Sequence, residues 1–299
     1  MIHEPVPVVL NPVAGGGRLL RQRLSLERAA EQCGIRLEWW PTDRPGHGES
    51  LGRRAADEGR PLVLAYGGDG TYNEVARGLL GSETALGVVP GGTTSVLAWE
   101  LGIPRPAARS LPALVGGVDR TMRVGRTDRG EIILMMLSAG PDTQVLERLL
   151  PDLKRVGGRV GIGVQAVLET ARARPLPELV VTVDGEPPTP CGWAIVGKSR
   201  CYGGPYHATP GADPFASGFE LVFQRTVGRR AAVPFALGIP TGRHLRRRDV
   251  VCRPAREVEL AAVNGACARY QVDGDLRGEL PVRVDTDDRP LVVRLPHRR

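Results

Sequence analysis

The chain has 299 residues, 41% hydrophobic and 24% charged, which is the composition of a globular protein long enough for two domains. Its net charge of +7, from 40 basic and 33 acidic residues, favours phosphate-bearing or anionic partners without choosing among them. The longest apolar run, Ile132 to Leu137, is far short of a spanning helix, and the first residues lack the features of a signal peptide. Cys33, Cys191, Cys201, Cys252 and Cys267 show no paired spacing, so no disulfide framework or zinc site is indicated and a reduced, cytoplasmic setting is expected.

In chain order, Val6 to Leu10, Ile35 to Trp40, Pro61 to Tyr66 and Ala85 to Val89 read as short buried strands, each followed by a helical stretch. That alternation predicts a parallel sheet with crossover helices. The first helix begins near Arg18, places Leu19, Leu20, Leu24 and Leu26 at helical spacing and stops at Cys33-Gly34. Glu49 to Glu58, Thr71 to Leu80 and Thr94 to Leu101 are the other expected helices. After Val118 the apolar period becomes two, as in Glu178 to Asp184, Gly192 to Gly197, Phe219 to Phe223, Glu257 to Ala262 and Leu291 to Leu295. The fold class expected is therefore α/β followed by mainly β, with domains at 1–122 and 123–299 and one helical insertion from about Gly161 to Ala173.

Three glycine-rich turns end successive strands of the first domain: Asn11 to Gly17, Gly67-Gly68-Asp69-Gly70-Thr71, and Pro90-Gly91-Gly92-Thr93. In an open α/β sheet that edge binds ligands, and glycines there let backbone amides approach a polyphosphate. Tight strand-to-helix turns explain any one of them equally well; three together favour a ligand. A carboxylate at Asp69 would repel phosphates unless it holds magnesium or takes a proton from an acceptor; capping the following helix is the structural alternative. Glu74 could assist a metal or favour the helix N-terminus.

Asn11-Pro12-x-x-Gly15, Gly67 through Val75, and Gly87 through Thr93 resemble, in residues, order and spacing, the family of diacylglycerol, sphingosine and ceramide kinases. Thr42 with Gly46-His47 is similar to that family's adenosine element, and Tyr202-Gly203-Gly204, Pro210-x-Ala212 and Val272-Asp273-Gly274-Asp275 extend the resemblance over the second half. The resemblance implies a phosphofructokinase/NAD-kinase-like domain holding ATP and Mg2+, and a C-terminal β-sandwich holding the lipid substrate, with the active site in the cleft between them and the last strand returning to the first domain. Carried over, the nucleotide contacts are Asn11, Pro12, Val13, Ala14, Gly15, Thr42, Gly67, Gly68, Asp69, Gly70, Thr71, Tyr72, Asn73, Glu74, Gly92 and Thr93. Asp69 would organise magnesium and Asp275 would be the catalytic base.

Three departures from the family pattern stand out. Thr93-Thr94-Ser95-Val96 lacks an Asn-Asp pair; Ser217-Gly218 replaces an Asp-Gly that supplies a structural magnesium, so no metal is expected there; and Asp275 stands where a longer Glu is usual. An NAD kinase, which shares Gly-Gly-Asp-Gly-Thr, and a degenerate member that binds nucleotide or lipid without catalysis are the alternatives. Gly192 to Ser199 satisfies the P-loop expression but is too bulky and strand-like for one, and Gly161-x-Gly163 follows no strand. The basic run Arg243 to Arg248, with Arg229 and Arg230, reads either as a solvated face or as peripheral docking on an anionic membrane surface. With aromatics at 4%, no nucleic acid partner is expected; a homodimer is allowed but not required.

Overall fold

The computed structural model describes residues 4–14, 18–92, 94–148 and 178–297, so the expected helix at Gly161 to Ala173, and the positions Gly15 and Thr93, lie outside the described residues. The chain forms two units, one of residues 1–123 with 288–299 and the other of residues 124–287.

In the first unit the chain alternates β1 (Val6–Leu10), α1 (Arg18–Gln32), β2 (Leu37–Pro41), α2 (His47–Asp57), β3 (Leu62–Gly67), α3 (Asp69–Leu79) and β4 (Ala85–Pro90). Then come α4 (Val96–Glu100), α5 (Ala107–Val115), β5 (Val118–Met122) and, from the far end of the chain, β20 (Leu291–Leu295). The sheet order is β2-β1-β3-β4-β20-β5. β1 to β4 and β20 run parallel and β5 is antiparallel to β20. β1, β3 and β4 are buried along their whole length, as expected of parallel strands covered on both faces. Residues 291–295 therefore complete the first unit's sheet, not the sandwich.

Helices α2 and α3 touch backbone to backbone. A methyl group at Gly52 would lie 2.5 Å from the Val75 carbonyl oxygen, and one at Gly78 would lie 2.2 Å from that of Glu49. This close approach packs the start of α2, at Gly48 and Glu49, against the body of α3 from Glu74 to Gly78. Three helices went unpredicted, α5, α6 (Pro141–Arg148) and α7 (Arg229–Gly238), and of these α5 and α7 each carry an interior proline, Pro112 and Pro234, which usually argues against a helix. Tertiary packing overrides that local cost: Leu111, Leu114 and Phe235 are fully buried. The helix expected at Thr94 to Leu101 is the shorter α4, because Thr94 and Ser95 serve the preceding turn.

The second unit is a β-sandwich. With β6 at Gly125–Thr127, β9 at Leu179–Val183, β10 at Thr189–Cys191, β15 at Val250–Ala255, β16 at Val258–Ala262 and β19 at Val282–Thr286, one six-stranded sheet has the order β10-β9-β16-β19-β6-β7 and the other β15-β14-β11-β8-β17-β18. The ranges that matter below are β7 (Ile132–Ile133), β8 (Met136–Ala139), β11 (Trp193–Gly197), β14 (Phe219–Gln224), β17 (Arg269–Val272) and β18 (Asp275–Glu279), with α6 at Pro141–Arg148. Leu137, Val196, Leu221 and Tyr270 from one sheet and Val181, Leu260, Val282 and Val284 from the other share one buried cluster. The alternating burial of β9 is the period-two signal read at Glu178 to Asp184.

Because the α2–α3 contact has no room for a side chain, Gly78→Ala should destabilise the protein by about 1–3 kcal/mol. Thermal denaturation should show the loss, and an unchanged midpoint would mean that the two helices separate freely.

Candidate functional site

The three glycine turns meet at the carboxyl ends of β1, β3 and β4, and each is tied to the next. Asn11 accepts the Val13 N–H at 3.1 Å through its side-chain oxygen, donates to the Thr71 hydroxyl at 3.4 Å, and sends its backbone N–H to the Tyr66 carbonyl at 3.3 Å. The Gly91 and Gly92 N–H groups both donate to the Gly67 carbonyl at 2.8 Å. Gly68 and Gly92 approach so closely that a methyl on Gly92 would lie 2.9 Å from the Gly68 Cα. Tyr72 is fully buried beneath these turns, its hydroxyl 2.8 Å from the Gly67 carbonyl and 3.1 Å from that of Val89. It is a strut under the turns and presents nothing to a ligand.

Asp69 is the centre of this arrangement. Its carboxylate accepts the N–H groups of Val96 at 2.9 Å and Leu97 at 3.0 Å, and the Thr94 hydroxyl at 3.4 Å. It caps α4, not the helix that it begins. Burial pushes this carboxyl above the usual range, against the lowering pull of those donors and of the nearby Arg105 charge. Glu74 is spent in the same way, one oxygen accepting the Gly46 N–H and the other the Gly48 N–H, each at 2.9 Å, at the start of α2. Both residues expected to organise or assist magnesium, Asp69 and Glu74, thus spend carboxylate lone pairs on backbone amides. Among the described residues no three His, Cys, Asp or Glu side chains converge as a metal site.

With Asp69 turned to α4, the N-terminus of α3 is left open. Gly68 gives it no side-chain cap, and among the described residues the Asp69, Gly70 and Thr71 N–H groups have no protein acceptor. Orphan amides at the positive end of an eleven-residue helix are an anion-binding arrangement. Thr42 ends β2 with its N–H on the Leu10 carbonyl at 2.8 Å, and His47 Nδ1 lies 2.7 Å from the Asp43 carboxylate. Pro12, Val13 and Ala14 form the exposed or half-exposed first turn, and Asn73 is buried on α3. Sequence reasoning missed Arg105, whose guanidinium donates to the carbonyls of Gly92 and Thr94, both at 3.1 Å, and so braces the third turn. No motif read in the sequence reaches it.

In the second unit Asp273-Gly274 is the two-residue turn of a hairpin, flanked by the paired residues Val272 and Asp275. Both turn residues are left-handed, with φ of 53° and 91°, which an Asp-Gly pair tolerates. The Asp273 carboxylate accepts N–H groups from Leu134 at 3.0 Å, Met135 at 2.9 Å and Met136 at 3.0 Å. Those amides lie where the chain leaves β7 in one sheet for β8 in the other, so Asp273 supplies acceptors at a break in the ladder. Gln271 accepts the Gly274 N–H at 2.7 Å and donates to Ser138 at 2.7 Å. Ser138 donates in turn to Asp142, which also accepts from the Tyr202 hydroxyl at 2.9 Å. Asp275 itself is exposed, its carboxylate 3.3 Å from the Arg277 guanidinium.

Lys198, which lent Gly192 to Ser199 the look of a P-loop, is fully buried after β11. Its ammonium donates to the carbonyls of Ala216 and of Gly218, the latter at 3.0 Å. A fixed cation thus sits on the backbone around Ser217.

The pattern of the diacylglycerol kinase catalytic domain matches residues 5–127, and that of the YegS C-terminal NAD kinase beta sandwich-like domain matches residues 135–295. The chain is 24% identical to a diacylglycerol kinase of Bacillus subtilis, over 92% of this chain and 90% of that protein. It is 25% identical to a diacylglycerol kinase of Mycobacterium tuberculosis, over 98% and 96%. A crystal structure from Bacillus anthracis superposes with a TM-score of 0.82 at 18% identity, covering 99% of this chain and 97% of that one, and speaks for the fold.

Burial raises the Asp142 carboxyl above its unfolded value, outweighing the Ser138 and Tyr202 hydroxyls. The folded state then holds a proton that the unfolded state has released, so this group's contribution to stability falls as pH rises from about 3.9 through the raised native value. Asp142→Asn cannot ionise and should flatten that part of the curve. Urea denaturation of both proteins from acid to neutral pH checks it, with identical slopes as the contrary result.

Proposed function

This chain belongs to the lipid kinase family that joins a diacylglycerol kinase catalytic domain to a YegS-type β-sandwich-like domain, and from that premise we propose that it moves the γ-phosphoryl group of ATP onto a hydroxyl of a diacylglycerol or related sphingoid-type lipid. The observation that carries the reading is the uncapped start of α3, where among the described residues the Asp69, Gly70 and Thr71 N–H groups have no protein acceptor.

Phosphoryl transfer asks little covalent chemistry of a protein; it asks for aligned phosphates and a proton acceptor. The N–H groups of Asp69, Gly70 and Thr71 bind phosphate oxygens. Asn11 fixes the first turn against Thr71, and Arg105 holds the third turn in place. Thr42 and the Gly46-His47 element lie on the same sheet edge and serve the nucleoside end. ATP supplies the phosphoryl group and the leaving ADP. Asp275 takes the proton of the acceptor hydroxyl as its oxygen forms the new bond to phosphorus. The rigid Asp273-Gly274 turn fixes the backbone from which Asp275 acts. Asp69 and Glu74 already hold backbone amides with their carboxylate oxygens, and no step is assigned to a metal held by the protein. Among the described residues no helix is long and apolar enough to cross a bilayer, so a lipid acceptor is reached from the membrane surface.

Radiolabelled ATP offered with diacylglycerol, sphingosine, ceramide and NAD tests the reading. Label should enter a lipid, and Asp275→Asn should lower kcat by roughly 10²–10⁴-fold with little change in KM for ATP. Label in NAD alone would make the protein an NAD kinase. Bound ATP with no labelled product would leave a binding protein.

A further inference from the structure

Helix α7 (Arg229–Gly238) buries Ala231, Ala232, Phe235 and Gly238 against the sandwich. Phe235 packs on Trp193 with ring centroids 4.9 Å apart and meets the edge of His244 at 5.4 Å. His244 is itself buried, its Nε2 3.0 Å from the Ala208 carbonyl. The helix and the turns after it are thus held firmly, yet the opposite face of the helix is apolar as well. Leu237 is 55% exposed, Pro234 is exposed and Val233 half-buried, while Val227 just ahead of the helix is 37% exposed.

Along the sequence of α7 and the turns after it the charges have one sign. From Leu221 to Arg248 the chain carries seven arginines and no Asp or Glu. Arg247 pairs with Asp249, whereas Arg225, Arg230, Arg243, Arg246 and Arg248 are exposed and make no ion pair among the described residues. A helix with an outward apolar stripe in arginine-rich surroundings fits the boundary of an anionic bilayer, where apolar side chains enter and guanidinium groups meet lipid phosphates. A nucleic acid would satisfy the arginines but would leave Leu237 and Pro234 in water. We infer that α7 and the turns through Arg248 are the surface by which this protein docks on anionic membranes; the choice of a bilayer as occupant rests on the lipid kinase reading.

Sedimentation with phosphatidylcholine vesicles, with and without phosphatidylglycerol, tests this on the full chain. The wild type should bind only the anionic vesicles and release in high salt. At about 1 kcal/mol for each basic residue, the triple variant Arg243→Gln/Arg246→Gln/Arg248→Gln should bind roughly a hundredfold more weakly. Leu237→Ser should weaken binding severalfold, including at high salt. Both variants should keep the wild-type melting temperature and full activity on detergent-dispersed lipid. Wild-type binding by the triple variant, or no binding by the wild type, would overturn the proposal, as would nucleic acid displacing the vesicles at equal phosphate. If vesicle binding behaves as expected while no lipid is phosphorylated in detergent, the docking surface stands and the kinase reading falls.

Discussion

The first unit depends on where the Asp69 carboxylate is spent. A charge buried among glycine turns is costly unless donors compensate it. Here the donors are the Val96 and Leu97 amides, which join the second turn to the helix that follows the third. One group thereby does two things. It fixes the third turn, and it turns its own charge away from the N-terminus of α3, so the amides there can meet an anion. Glu74 repeats the device at the start of α2, which the glycine contact packs against the body of α3.

The second unit follows the same logic with other partners. Where the chain passes from one sheet of the sandwich to the other, three amides lose their ladder and Asp273 receives them. The turn that leads into Asp275 is therefore anchored by its own first residue, Asp273, and Gln271, Ser138 and Asp142 extend that anchorage into the core. Lys198 applies the converse arrangement, a buried cation on backbone carbonyls around Ser217. In both units charged side chains satisfy the backbone at places where regular structure ends.

The α/β-then-β fold class and the glycine turns were legible in the sequence because their signals are local: strand, glycine, helix, three times over, then period two. What each carboxylate touches was not legible. The partners of Asp69 lie 27 and 28 residues downstream and those of Asp273 more than 130 upstream, and no spacing rule links them. Their setting among glycine turns pointed Asp69 and Glu74 toward a metal, and nothing in the sequence shows which backbone amides their oxygens accept. Helix α7 was hidden by Pro234 and by apolar residues on both of its faces, which erase the periodicity that marks an ordinary amphipathic helix.

The central claim is that phosphates bind the amides at the start of α3 while Asp69 stays on α4. A crystal structure with a non-hydrolysable ATP analogue and magnesium tests it most directly. The account predicts phosphate oxygens within hydrogen-bond distance of the Gly70 and Thr71 N–H groups, Asp69 still bonded to Val96 and Leu97, and the metal held by phosphate and water. An Asp69 carboxylate swung out to bind the metal, or phosphates away from α3, would contradict it.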